Sequence, residues 1–264
     1  MTKKTDGTVT RTDIANGLRA MGLREADLVL AHCSLSAFGY VAGGADAVID
    51  ALLDVVGPTG TLVMPSHNDV AEHDTAGYDP RTTPVRKNIG RIPDTFWRRP
   101  RVRRGEHPPR HPWAAQGPRG EALIALSESR PIGSQHYAGI LNAIADLGGY
   151  ILLLGCMHTS STSVHTAEAA AFNAVENAVQ RRAEFLHDFN EVDIPLQESG
   201  VLRTSRIGDA EIRLMLSRDL FAVVQRMYET IHRGKAFKVE DYADEPGFMP
   251  AAEYPNVLKA IRQL

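Results

Sequence analysis

Residues 151–168, ILLLGCMHTSSTSVHTAE, limit the fold more than any other stretch of the chain. Ile151 to Leu154 is a continuous apolar run stopped by Gly155, the pattern of a strand buried on both faces, as in a parallel sheet with helices on either side. A hydroxyl-rich loop, Thr159 to Ser163, follows. Then comes VHTAEAAAF, whose alanines favour helix and which sets His165 and Glu168 three residues apart on one helical face. A buried strand thus delivers an imidazole and a carboxylate to one sheet edge. In open α/β sheets ligands bind beyond the carboxyl ends of the strands, so chemistry is expected there first.

Elsewhere the same grammar repeats. DLVLAHCSL reads as a buried strand that runs into the glycine-punctuated turn SAFGYVAGG. A helix over 45–56 is closed by Gly57-Pro58, and GTLVMPS makes the next strand. Strand, loop, helix and strand form a βαβ unit, which implies parallel pairing and a right-handed crossover. An amphipathic helix over 10–22, with Thr10 or Thr12 as its cap, precedes this unit. Residues 66–112 are irregular and rich in Pro, Arg, His and Asp, with a helix expected only at IGRIPDTFWRR. Helices are expected over 117–127 and 137–146. Beyond Gln180 come strand-like pieces, RAEFLHDFN and GVLRTSRIG, then DAEIRLMLSRDLFAVVQRMYETIHRG as one helix and a short closing helix from Tyr254 to Leu264. With no internal repeat or linker, one domain over 1–264 is expected, with 1–9 flexible and 235–264 a C-terminal extension.

The formal net charge of −3 argues against nucleic acid as the main partner. No apolar run approaches the ~18 residues that span a bilayer, and MTKKTDGTVT lacks the apolar core of a signal peptide, so the cytoplasm is the expected location. The cysteines, Cys33 and Cys156, read as buried free thiols.

Each candidate site has a plain structural reading beside its functional one. Gly39, Gly43 and Gly44 lie between a strand and a helix start, a place suited to anions, yet their spacing fits no phosphate-loop pattern and equally describes a tight turn. The run RRPRVRRGEHPPR is a nucleic-acid patch, a docking site for phosphates or a coenzyme, or a solvated surface, and the lack of interleaved aromatics and the acidic overall balance count against the first. His165 with Glu168 lacks the second histidine of a helical zinc site, so the pair reads as an acid–base centre or as a satisfied histidine at a helix start.

Several motifs occur in order: His32-Cys33-Ser34-Leu35-Ser36 with Gly39 and Gly43-Gly44; Gly60-Thr61-Leu62-Val63-Met64-Pro65; Tyr78-Asp79-Pro80; Thr83-Pro84; and Asp94-Thr95-Phe96-Trp97-Arg98. Arg104 and His107-Pro108 follow, and then Leu152-Leu153-Leu154-Gly155 leading to His165-Thr166-Ala167-Glu168. In these the chain resembles the aminoglycoside 3-N-acetyltransferase family, acetyl-coenzyme A-dependent enzymes with their own α/β fold. The resemblance implies a three-layer α/β/α fold with a mixed, largely parallel central sheet. It implies acetyl transfer from acetyl-coenzyme A to a primary amine, above all the 3-amino group of a 2-deoxystreptamine aminoglycoside, by general-base catalysis in a ternary complex. The partner would be a small molecule, with no nucleic acid, membrane or metal, and a homodimer stays open.

Carried over by position, the resemblance makes His165 the catalytic histidine and Glu168 its motif partner, with Asp188 near a second acidic place that Glu191 or Glu184 would also suit. The loop with His32, Ser34, Leu35, Ser36 and Gly39 would cradle the coenzyme's pantetheine and pyrophosphate, and Arg104 and His107 would lie near its phosphates. Asp69, Asp79, Thr162 and Glu191 are the residues offered to the acceptor. An oxyanion would find backbone N–H groups at Ser34 to Ser36, or the hydroxyl of Thr162. Two motifs depart from the family pattern. Arg-Ser-x-His-Pro reads Arg104-Gly105-Glu106-His107-Pro108, and Asn-Thr reads Ser161-Thr162. Another amine as acceptor, a hydrolase built on His165 and Glu168, and a non-catalytic binding protein remain as alternatives.

Overall fold

The computed structural model describes residues 7–71, 74, 76–106, 111–129, 138–164, 166–167, 189–231 and 254–264. In chain order the strands are β1 (Thr8–Val9), β2 (Leu28–Cys33), β3 (Tyr40–Val41), β4 (Thr61–Pro65), β5 (Arg103–Arg104), β6 (Trp113–Gln116), β7 (Tyr150–Leu154), β8 (Arg203–Ile207) and β9 (Ala210–Leu216). The helices are α1 (Arg11–Ala20), α2 (Gly44–Val56), α3 (Arg91–Trp97), α4 (Gly120–Glu128), α5 (Ala138–Asp146), α6 (Asp193–Glu198), α7 (Ser217–Ile231) and α8 (Tyr254–Arg262). No helix among the described residues is long and apolar enough to cross a membrane.

Seven strands form one sheet in the order β5-β6-β4-β2-β7-β9-β8. The three central strands β4, β2 and β7 are parallel to one another, and each outer neighbour is added antiparallel. Five of the seven strands therefore run the same way, with β6 and β9 reversed. The continuous apolar runs have the expected cause. On β2, Val29, Ala31 and Cys33 face the layer that holds Ile14 and Leu18 of α1, Val48 and Leu52 of α2, and Ile92 and Phe96 of α3. Leu28 and Leu30 face the opposite layer, with Leu123 of α4 and Ile144 of α5. On β7, Leu152 and Leu154 join the first layer, while Ile151 and Leu153 pack against Leu196 of α6 and Leu220 and Val224 of α7. Each fully buried aliphatic side chain contributes ~1.5–3 kcal/mol to this three-layer core.

Local chemistry sets the element ends. Thr10 caps α1 through a reciprocal bond with Asp13, satisfying two helix-start donors that water would otherwise take. Gly43, at φ +84°, takes the left-handed conformation that starts α2.

Three sequence expectations change. Residues 210–216, expected as the start of a long helix, form β9, and the helix begins only at Ser217. Between β7 and β8 this strand buries both faces, so its apolar residues lose the alternation by which strands are recognised. The stretch 66–112, expected to be irregular apart from one helix, also holds the edge strand β5, which pairs with β6 just beyond it, and β6 joins the sheet antiparallel to β4. Thr8 and Val9, expected to be flexible, pair in parallel with Tyr40 and Val41. Of the strand-like piece RAEFLHDFN, residues 182–188 lie outside the described residues, and Phe189–Val192 is a 3₁₀ turn.

Most of the arginine run is consumed by the fold. Arg99 clamps α2 through Asp46 at 2.7 Å and Asp50 at 2.6 Å. Arg98 pairs with Asp94 at 3.1 Å, and Arg103 pairs with Glu128 at 3.1 Å.

Candidate active site

A cleft of about 960 Å³ opens where the parallel strands β2, β4 and β7 end. One wall is the turn after β2, from His32 to Ser36 with Gly39, and the facing wall runs from Gly155 to Thr162 after β7. Gly155, at φ +67°, brings the two together, since a side chain there would meet Cβ of Ala37. The third side is Arg86 to Arg91, before α3, and His67 and His111 complete the lining.

The charge of this lining has one sign. Arg86, Lys87 and Arg91 border the cleft, and no aspartate or glutamate does so among the described residues. Arg86 is half-buried and held by the Asn68 carbonyl, with Asp69 3.7 Å away at the rim. Lys87 and Arg91 are exposed. His32 and His67 add no charge at neutral pH. Burial, followed by the proximity of His158, lowers the pKa of His32 to about 4. Burial also holds His67 well below the ordinary range, and the charges of His111, Arg86 and His32 add to it. His67 meets His111 edge-on, ring centroids 5.0 Å apart. Among the described residues no group of three or more His, Cys, Asp or Glu is placed to hold a metal ion.

Both cysteines are free thiols. Burial raises the pKa of Cys33, and it pushes Cys156 up to about 12 while the Cys156 thiol donates to the His32 carbonyl at 3.3 Å. Neither is a nucleophile in waiting.

Behind the second wall lies a buried polar network built on the Asp193–Arg213 ion pair. His158 is fully buried, with Nε2 3.0 Å from Oδ1 of Asp193 at the start of α6. Arg213 of β9 holds the other Asp193 oxygen with Nε at 3.1 Å and reaches Glu211 at 3.2 Å. The network ties the loop after β7 to the segment before α6 and to the sheet.

The expected site residues divide into groups. His32, Ser34, Leu35, Ser36, Gly39 and Thr162 all line the cleft. Arg104 does not. It is buried, donates to the carbonyls of Thr83, Pro80 and Ser66, and stacks 4.1 Å over the Trp97 ring. Its position is on a separate cavity of about 820 Å³, whose other arginines are matched by carboxylates. Asp79 lies there too, bonded to its own loop and to Arg81. The basic partners of the cleft are therefore Arg86, Lys87 and Arg91 in place of Arg104. Sequence reading missed them because no periodicity marks their stretch. Asp69 and Glu191 are exposed, Asp69 at the rim and Glu191 in the turn before α6. His165, Glu168, Asp188 and His107 lie outside the described residues, as does Glu184.

A family profile described as aminoglycoside 3-N-acetyltransferase matches residues 30–229, most of the chain and both walls of the cleft. The chain belongs to the aminoglycoside 3-N-acetyltransferase family. Membership makes it an enzyme of the acyltransferase class. Aminoglycoside N(3)-acetyltransferase IV of a Salmonella species is 32% identical over 229 residues, covering 80% of this chain and 84% of that protein. Aminoglycoside N(3)-acetyltransferase VII of Streptomyces paromomycinus is 38% identical over 186 residues, and the match spans 63% of that protein's length. The fold agrees with that of a solved family structure, a histidine-to-alanine mutant of aminoglycoside acetyltransferase AAC(3)-IVa in complex with gentamicin, at TM-score 0.73 and 25% identity over 99% of each chain.

Proposed function

We propose that this member of the family moves the acetyl group of acetyl-coenzyme A to a primary amine, the 3-amino group of a 2-deoxystreptamine aminoglycoside, without a covalent acyl-enzyme. The observation that carries the coenzyme half is the one-signed lining of the cleft. No carboxylate lines the cleft among the described residues, and Arg86, Lys87 and Arg91, with Asp69 3.7 Å from Arg86 at the rim and Asp94 3.9 Å from Arg91, suit a polyanionic cosubstrate and repel a polycation. Acetyl-coenzyme A brings such charge in its phosphates and a slender arm that fits between the two loops. The acceptor half rests on family membership and on a relative crystallised with gentamicin as a histidine-to-alanine mutant.

In this reading His165 takes a proton from the amine, oriented by Glu168 or Asp188. Only the free amine has the lone pair that attacks the thioester carbon, and a positioned base contributes ~10²–10⁴-fold. Asp69 at the rim and Glu191 on the turn supply negative charge toward the acceptor side, and Thr162 offers a hydroxyl at the junction. Acetylation removes one positive charge from the antibiotic, which is the chemistry of resistance, and a cytoplasmic setting matches the supply of acetyl-coenzyme A. The uniformly basic described lining favours a second reading, a less cationic amine as acceptor.

A thiol-release assay with acetyl-coenzyme A and a panel of amines decides between them. Release with aminoglycosides that carry the 3-amine, absent with those that lack it, is expected. Release only with simpler amines would establish the second reading. His165→Ala is expected to lower kcat at least ~100-fold. A loss within about threefold, under ~1 kcal/mol, removes His165 from the role of base.

A further inference from the structure

His32 is a cleft residue with an unused polar atom. It stands at the end of β2, 3% exposed, opposite Leu153 of β7, and Leu153 in turn pairs with Arg213 of β9. It lines the cleft, and its Nε2 is buried with no hydrogen-bond partner among the described residues. A buried ring nitrogen without a partner is destabilising, and such atoms are retained where a ligand completes them.

Five backbone donors around it are already engaged. The amide of Ser34 bonds to the Leu154 carbonyl at 2.8 Å, and that of Gly155 bonds to Glu211 at 2.9 Å. On the facing wall, the amides of Ser160 and Ser161 close the 3₁₀ turn onto Met157 and His158. The amide of Gly39 turns back to Ser36. These backbone groups therefore cannot receive a developing negative charge without breaking the local fold. His32 Nε2 can.

We propose that the Nε2–H of His32 donates the hydrogen bond that receives the acyl oxygen of the thioester as it becomes an oxyanion. This rests on the acetyl-transfer reading above. The amine lone pair forms the N–C bond while the carbonyl π pair moves onto oxygen, where His32 meets it. Collapse re-forms the C=O bond and breaks the C–S bond, whose electron pair leaves with sulfur. The amine proton passes to His165, which returns it to the departing thiolate. His32 keeps its own proton throughout. Burial, with His158 close by, keeps the ring uncharged at neutral pH, so it serves as a neutral donor and is too weak a base to take a proton from an ammonium group. A neutral histidine that polarises a carbonyl is an established catalytic pattern in other enzymes.

The test uses the full chain. His32→Leu removes the donor, and His32→Gln restores an N–H on a side chain of similar reach. Removing one oxyanion donor is expected to lower kcat ~10²–10³-fold in His32→Leu. Its dissociation constant for acetyl-coenzyme A is expected to stay within about threefold, with part of kcat regained in His32→Gln. A second measurement needs no variant. The carbonyl stretch of ¹³C-acetyl-coenzyme A bound to the parent protein without amine is expected at lower frequency than in solution. An unshifted carbonyl band in the parent, or a kcat within threefold of the parent in folded His32→Leu, overturns the proposal. If the parent does not bind acetyl-coenzyme A, the acetyl-transfer reading fails first and this one with it. Binding with an unshifted band fails only this one.

Discussion

Asp193→Asn tests the network that fixes the wall after β7. The substitution keeps the shape of the side chain and removes the charge that joins His158 at 3.0 Å and Arg213 at 3.1 Å. Arg213 is 5% exposed, and breaking a buried ion pair from one side costs about 3–5 kcal/mol because the other charge stays buried. The Asp193 side chain is 13% exposed and Arg213 keeps Glu211, itself half exposed, so the lower end, about 3 kcal/mol, is expected. For a chain of this size that corresponds to roughly 6–12 °C in Tm. Urea unfolding of parent and variant over a range of pH is the assay. Burial alone would raise the Asp193 carboxyl, but the hydrogen bond and charge of His158 and the charge of Arg213 outweigh it and hold it below the ordinary range. A carboxyl lowered in the folded state adds stability that is present above its unfolded value, about 3.9. That stability is lost as pH falls through the folded value. The difference between parent and variant should accordingly be full at pH 7 and shrink in acid. A difference under about 1 kcal/mol at pH 7, the size of an exposed pair, would refute the reasoning. So would a difference that stays constant into strong acid.

Two further substitutions separate the fold from the site. Lys87→Glu combined with Arg91→Glu reverses two exposed charges beside the cleft, and should raise KM for acetyl-coenzyme A roughly tenfold. The effect should fade at ~1 M salt, where the screening length is about 3 Å, and an unchanged KM at low salt would remove these cations from coenzyme binding. Arg104→Lys keeps the charge but loses the planar fork that serves three carbonyls and the Trp97 ring. It should destabilise by about 2–3 kcal/mol and leave KM for the coenzyme within twofold, whereas a large rise in KM with normal stability would return Arg104 to the coenzyme.

The elements were largely legible because burial writes itself into local sequence. Apolar runs without alternation at 28–33 and 151–154 mark strands covered on both faces, and helices pack on both sides of them. The turn after β2 was legible for a similar reason, since Gly39 and Gly43 punctuate it and Gly43 takes up positive φ at the start of α2. That these turns face one cleft followed from the rule that parallel strands end together at the ligand side. Where the same local signal fits two structures, it misled. AEIRLML is apolar enough for a helix face, and only pairing with β7 and β8 makes it a strand.

What the sequence determined alone was therefore the kind of each strongly patterned segment and the sheet edge at which chemistry is expected. Periodicity records whether a residue is covered, not what covers it. The choice of partner was left to the tertiary structure. It spent Arg99 on α2 and Arg104 on backbone carbonyls, brought Lys87 and Arg91 to the cleft, joined His158 to Asp193, and left His32 Nε2 buried without a partner among the described residues. Each of these depends on segments far apart in the chain arriving at one place, and no window of sequence contains both ends of such a contact.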